Sequence, residues 1–129
     1  MPAFESKRVP TDYDLLAPDG SEIRLLHNLS GASVVHCSLP AGAVSTPVTH
    51  RTVEEVWVFL IGEGQVWRKQ GERELVLDAH AGLSLTIPLG TQFQFRNTGD
   101  VPLEFIIATT PPWPGADEAI VLDGGRWAF

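Results

Sequence analysis

The sequence predicts an all-β chain, a sandwich or barrel of short strands. Three observations lead there. Apolar and polar residues alternate with period two in several windows, as in Leu83, Leu85 and Ile87 against Ser84 and Thr86. Twelve glycines and ten prolines in 129 residues punctuate the chain at turn-like intervals. No window of helical length sustains a 3.6-residue period.

The elements follow in order. The first twenty residues carry Pro2, Pro10 and Pro18 and read as an irregular arm with at most one edge strand. Residues 22–29 and 32–39 read as strands, the second closed by Pro40-Ala41-Gly42. Residues 55–61 are β-branched and aromatic. Gly62-Glu63-Gly64 reads as a hairpin turn into a strand over 65–69, and Gly71-Glu72 as the next turn. Strands are predicted over 75–79, 83–87, 92–96 and 101–109. The tail after Thr110 is Pro-rich and then weakly apolar, and is expected to wrap the outside of the barrel. With no repeat, low-complexity tract or linker, residues 1–129 read as one domain whose core spans residues 20–110.

Sixteen acids against nine basic residues give a net charge of −7. Such a surface repels phosphate backbones, so no nucleic-acid partner is expected. The single cysteine, Cys37, forms no intramolecular disulfide and reads as a small buried hydrophobe. The first residues have no apolar stretch of signal-peptide length, and the run over 56–61 is too short to cross a bilayer. A soluble, cytoplasmic protein without a membrane partner is the expectation. Gly-rich phosphate loops and Gly-x-Ser-x-Gly elbows are absent from the sequence.

Two spaced motifs carry a family resemblance. Gly42, His50, Glu55 and Gly62 match one, with four residues between His50 and Glu55 and six between Glu55 and Gly62. Gly82, Pro88, Gly90 and Asn97 match the second. Over residues 30–110 the chain resembles a small single-domain cupin, which implies a double-stranded β-helix, that is, a jelly-roll barrel. The resemblance also implies a metal held by three histidines and a glutamate. Of these only His50 and Glu55 are placed. The first-histidine position holds Val48 and the second-motif histidine position holds Phe93. With a three-residue gap instead, Thr49 and Arg51 fill the two histidine positions of the first motif.

His50 and Glu55 are therefore the candidate catalytic residues and the candidate ligands of a divalent metal, with zinc, iron, nickel and manganese all open. A catalytic metal usually keeps three protein ligands. Gln92, beside Phe93, and His36, on the preceding strand, are the candidates for the third. Gln92 needs a turn after Gly90 to face inward, because neighbours on a strand alternate faces. His36 also reads as a half-buried histidine bonded to backbone. Without a metal, Glu55 would be a base and His50 its partner. As a rim contact instead, His50 would pair with Glu54 or Glu55.

Glu55 shares the parity of Trp57, Phe59 and Ile61 and is assigned to the pocket, Glu54 to solvent. Val48, Trp57, Phe59, Gln92, Phe93 and Phe95 are candidate lining residues, against the reading in which aromatic side chains simply fill the barrel. Arg51 reads as a solvated rim charge or, as a functional residue, as an anchor for a substrate carboxylate. Trp113 reads as a lid or as a fastening for the tail. Two functions stay open: an isomerase, decarboxylase, cyclase or oxygenase of a small, partly apolar molecule, or a metal-free binding or sensing barrel. The resemblance further implies a homodimer, formed through edge strands with Trp127 and Phe129 as contacts.

Overall fold

The computed structural model describes residues 2–129. These residues form eleven strands in chain order: β1 (Leu15–Leu16), β2 (Glu22–Asn28), β3 (Ser33–Leu39), β4 (Val48–His50), β5 (Glu54–Ile61), β6 (Glu63–Gln70), β7 (Arg73–His80), β8 (Ser84–Ile87), β9 (Gln92–Asn97), β10 (Leu103–Thr110) and β11 (Ala119–Val121). A 3-10 turn, Ala116–Glu118, precedes β11. All pairings are antiparallel. One sheet runs β1-β2-β3-β10-β5-β8 and the other β11-β4-β9-β6-β7. The expected all-β jelly roll is present. Two short strands, β4 and β11, went unpredicted.

The core lies between the sheets and is aromatic. Strand alternation puts Trp57 and Phe59 of β5, Phe93 and Phe95 of β9 and Phe105 of β10 on inner faces, each 1% exposed or less. Trp57 touches the other four rings, with centroids 4.8 to 6.3 Å apart. Cys37 is buried beside them as expected, and burial, the largest cause, pushes its thiol well above the ordinary range.

Three expectations need correction. Residues 55–61 and 65–69 do not form a hairpin. Both edges of β5 are taken by β10 and β8, and both edges of β6 by β7 and β9. Gly62-Glu63-Gly64 therefore carries the chain from one sheet to the other. Gly62 has φ +92°, and a Cβ there would lie 2.6 Å from the Pro102 carbonyl oxygen. Ile61 does not face inward: it is 50% exposed. Phe105 pairs with Phe59 while Glu104 pairs with Ile61, so Leu60 is an extra residue and the alternation breaks after Phe59.

The tail, finally, does more than wrap the outside. Its residues 119–121 join the second sheet beside β4. Further on, Trp127 fastens to the outer side of β9. Gln94, fully buried, donates to the Trp127 carbonyl at 2.8 Å and accepts from the Trp127 N–H at 2.9 Å. Arg96 lies 4.5 Å over the Trp127 ring. Trp127 is thus engaged within its own chain, while Phe129 is exposed.

The sheet-crossing role of Gly62 can be measured by urea unfolding. Gly71 also has positive φ, +57°, but open space around it. Gly71→Ala is expected to cost about 1 kcal/mol, and Gly62→Ala about 3 kcal/mol or more, since strain and a backbone clash combine. Equal losses at the two positions would contradict the crossing geometry.

Candidate functional site

A cavity of about 580 Å³ opens at one end of the barrel. The strand period explains who faces it. Val48 and His50 are two apart on β4, and Glu55 and Trp57 are two apart on β5, so each pair shares an inner face. All four line the cavity, with Phe93. Glu55 is buried and Glu54 exposed, the assignment expected from parity.

Glu55 is held from two sides. The Trp57 indole N–H donates to one carboxyl oxygen at 3.0 Å, and the Thr109 hydroxyl to the other at 2.9 Å. Thr109 is the cross-strand partner of Glu55 on β10, which makes the second contact a consequence of register. Burial is the largest influence on the carboxyl. It outweighs both hydrogen bonds and, helped by the nearby charges of Asp19 and Glu118, pushes the pKa from 4.5 up to about 7.

His50 is 8% exposed and its Nδ1 has no hydrogen-bond partner. Its ring meets Phe93 and Trp113 edge to face, at 5.2 and 5.3 Å. Burial lowers its pKa from 6.5 to about 4, against an upward pull from Glu118. The imidazole is neutral over the whole physiological range. The alternative in which His50 pairs with Glu54 or Glu55 as a rim contact is not realised. The acid that His50 feels is Glu118, from the 3-10 turn.

Glu118 itself is fixed by the rim between β4 and β5. Its carboxylate accepts the Thr52 N–H at 2.6 Å, the Val53 N–H at 3.2 Å and the Thr52 hydroxyl. Burial alone would raise its pKa, but these bonds outweigh it and hold the carboxyl below the usual range.

Asp19 and Ser21, just before β2, also line the cavity. Asp19 accepts the Ser21 N–H at 2.9 Å and the Ser21 hydroxyl at 2.6 Å, yet burial pushes its pKa up. Trp113 lines the cavity while its N–H donates to the Ser33 hydroxyl at 3.0 Å, so it both roofs the mouth and fastens the tail.

The other sequence candidates lie elsewhere. Phe59 and Phe95 sit deeper, in the packed core. Gln92 faces away from Phe93 and pairs with Thr49, so the turn after Gly90 does not rotate it inward. Arg51 is exposed, and its guanidinium donates to the Asp117 carbonyl at 2.8 Å. His36 is 3% exposed on the outer face, paired with the Glu104 carboxylate at 3.0 Å and not with backbone. Among the described residues, no group of three His, Cys, Asp or Glu could hold a metal. With Phe93 where a ligand would stand and Glu55 already engaged by two donors, the donor set does not fit a resident transition metal.

The cupin-domain family model matches residues 35–109, more than half of the chain. The chain is a cupin. It is 31% identical over 124 residues to an uncharacterized protein of Methanocaldococcus jannaschii, covering 89% of this chain and 96% of the relative. Among solved structures, a Bacillus halodurans protein matches with TM-score 0.66 and 23% identity over 72% of each chain. A recombinant oxalate oxidase in complex with glycolate matches with TM-score 0.73 and 20% identity, over 91% of this cupin and 62% of that chain. These two likenesses concern the fold. Among the described residues no helix is long and apolar enough to cross a membrane.

Sequence reasoning missed Thr109, Asp19, Ser21 and Glu118. Thr109 was within reach, because Phe105, Ile107 and Thr109 alternate inward on β10. Asp19 stands in Pro18-Asp19-Gly20, a turn signature, and Glu118 in an irregular tail. Neither carries a periodic signal.

The two shifted groups make opposite contributions to stability. Between pH 4.5 and about 7, folded Glu55 keeps a proton that unfolded Glu55 has lost, so its contribution falls as pH rises. Between about 4 and 6.5, unfolded His50 holds a proton that the folded ring lacks, so its contribution rises with pH. Each is about 3 kcal/mol, and over the shared window they largely cancel. Relative to the unmodified protein, Glu55→Gln should make stability climb with pH between 4.5 and 6.5, and His50→Gln should make it decline. Urea melts across that window check both signs; slopes changing in the same direction would refute the assignment.

Proposed function

We propose that this cupin takes a small, partly apolar organic molecule into the barrel and transfers a proton to or from it through Glu55. The observation carrying this reading is the cavity-facing Glu55 carboxyl with its pKa near 7. A group titrating near ambient pH is both an adequate acid and an adequate base. Trp57 and Thr109 fix its orientation, leaving lone pairs of each oxygen for substrate. Neutral His50 offers the substrate a hydrogen bond and no charge. Proton transfer at carbon or oxygen serves isomerisation, cyclisation and decarboxylation alike, which leaves the reaction open within those classes.

A second reading, a binding or sensing barrel without catalysis, draws on Phe93. That ring replaces a polar ligand by an apolar wall and packs against His50. A homodimer is proposed as well. Val56, Val58 and Leu60 form an exposed apolar row on the outer face of β5, with Ile106 of β10 across from Val58. That face suits a partner better than Trp127, which is engaged within the chain.

A thermal-shift screen of small organic molecules would find a ligand, and NMR in D₂O would then follow hydrogen exchange into it. Deuterium should enter the bound molecule with the unmodified protein. Glu55→Gln should cut the rate by about a hundredfold or more with binding retained. Binding without exchange or conversion would favour the sensing reading. Elemental analysis of untagged protein, with His50→Ala beside it, should find metal far below one per chain in both. Near-stoichiometric zinc, iron, nickel or manganese lost on substitution would overturn the metal-free mechanism. Sedimentation should give a dimer that Val58→Lys converts to monomer.

A further inference from the structure

Resting on the proposal that the cavity takes a small organic molecule, we infer that its occupant is an organic cation, an amine carried on an apolar or aromatic body. The argument is the inventory of the walls. Three carboxylates, Glu5, Asp19 and Glu55, line the cavity, and among the described residues lining it there is no lysine or arginine. Arg51, the one cation expected to anchor a carboxylate, is exposed and held by the Asp117 carbonyl. A carboxylate or phosphate entering this site would find no lysine or arginine, only the imidazoles of His27 and His50, and could settle beside Glu55 only by keeping that carboxyl protonated, which is costly in a partly desolvated space.

An ammonium meets the opposite situation. Asp19 and Glu55 both line the cavity, close enough for Asp19 to raise the pKa of Glu55, and supply acceptors. His50, 8% exposed on the cavity wall, makes no ring hydrogen bond among the described residues of its chain: Nδ1 is buried and unpartnered, and Nε2 is the ring nitrogen left to a ligand. A neutral imidazole accepts an N–H from an ammonium through its unprotonated nitrogen. Trp113, half-buried over the cavity, provides ring surface for the apolar body and for cation–π attraction, with the packed rings of Trp57 and Phe93 behind it as apolar wall. The net charge of −7 also favours the approach of a cation over that of an anion.

Three probes with the same body and different heads separate the alternatives: 2-phenylethylamine, 2-phenylethanol and phenylacetate. Binding is followed by calorimetry in buffers of different ionisation enthalpy and located by NMR at the Trp57 indole N–H. The amine should bind about tenfold or more tightly than the alcohol, as a charge-assisted hydrogen bond warrants, and phenylacetate should bind weakest. Amine binding should also release protons. A cation beside Glu55 lowers its pKa from about 7, which frees about half a proton per ligand at pH 7. Glu55→Gln should cut that release, with Asp19 and Glu118 as the remaining acids nearby. Asp19→Asn should weaken the amine and leave the alcohol unchanged.

Preference for phenylacetate, with proton uptake, would overturn the cationic ligand while keeping the cavity as a binding site. Equal affinity for all three heads would do the same. If none of the three moves the Trp57 signal at millimolar concentration, the small-molecule reading of the cavity falls together with this inference.

Discussion

The site depends on where the Trp57 ring sits. It is 1% exposed, contacts four other aromatic rings and still donates its indole N–H to Glu55. One side chain therefore closes the packed half of the barrel and orients the Glu55 carboxyl of the open half. The coupling follows from the strand, since residues two apart on β5 must face the same way. A smaller residue here would leave a void in the aromatic cluster, where truncations of this size cost about 3–5 kcal/mol. It would also free one oxygen of Glu55 and admit water beside it, which would weaken the burial that raises its pKa.

A second constraint comes from outside the barrel core. The 3-10 turn carries Glu118 to the rim, where Thr52 and Val53 hold it ionised. Its negative charge pulls both His50 and Glu55 toward protonation. For Glu55 that adds to the effect of burial; for His50 it opposes burial and loses. The two groups thus reach neutrality from opposite directions: a carboxyl near half-protonation and an imidazole without its proton. Burial disfavours whichever form is charged, and it is the dominant cause in both. The same segment brings Trp113 over His50, so the tail adds a minor charge to the site and covers it.

What the sequence disclosed follows from period and spacing. The inward faces of β5 and β9 were legible because alternation over five or more residues is a strong signal, and Glu55 was assigned correctly against Glu54 for that reason. The cupin barrel was legible because two motifs stood at matching positions. Failures arose where one local pattern serves two geometries. A Gly-x-Gly break makes a hairpin or a crossing between sheets, and Gly62 is the latter because both edges of β5 were already occupied. The bulge at Leu60 is invisible until its partner strand is known. Asp19 and Glu118 reach the cavity from irregular segments, where no periodicity states which way a side chain points. The isolation of His36 on the outer face was a question of parity in a strand with apolar residues on both faces, and Val34, Val35 and Cys37 flank it without alternation.

The replacement of a family ligand by Phe93 and the acidity of the cavity belong to one physical arrangement. A resident divalent cation would keep nearby carboxylates ionised and would itself attract an anionic ligand. Without such a donor set, the site has no fixed positive charge, and the low-dielectric wall contributed by Phe93 and Trp57 drives protons onto Glu55 and off His50. At rest Glu55 is then near half-protonation and ready to ionise. A positive ligand would supply the missing counter-charge on arrival, lowering the pKa of Glu55 and turning it from acid toward base at the moment the site is filled. An anionic ligand would push the same group the other way and hold it protonated. Proton affinity and ligand charge are therefore linked through a single carboxyl, and that linkage follows from the burial of Glu55 against Trp57.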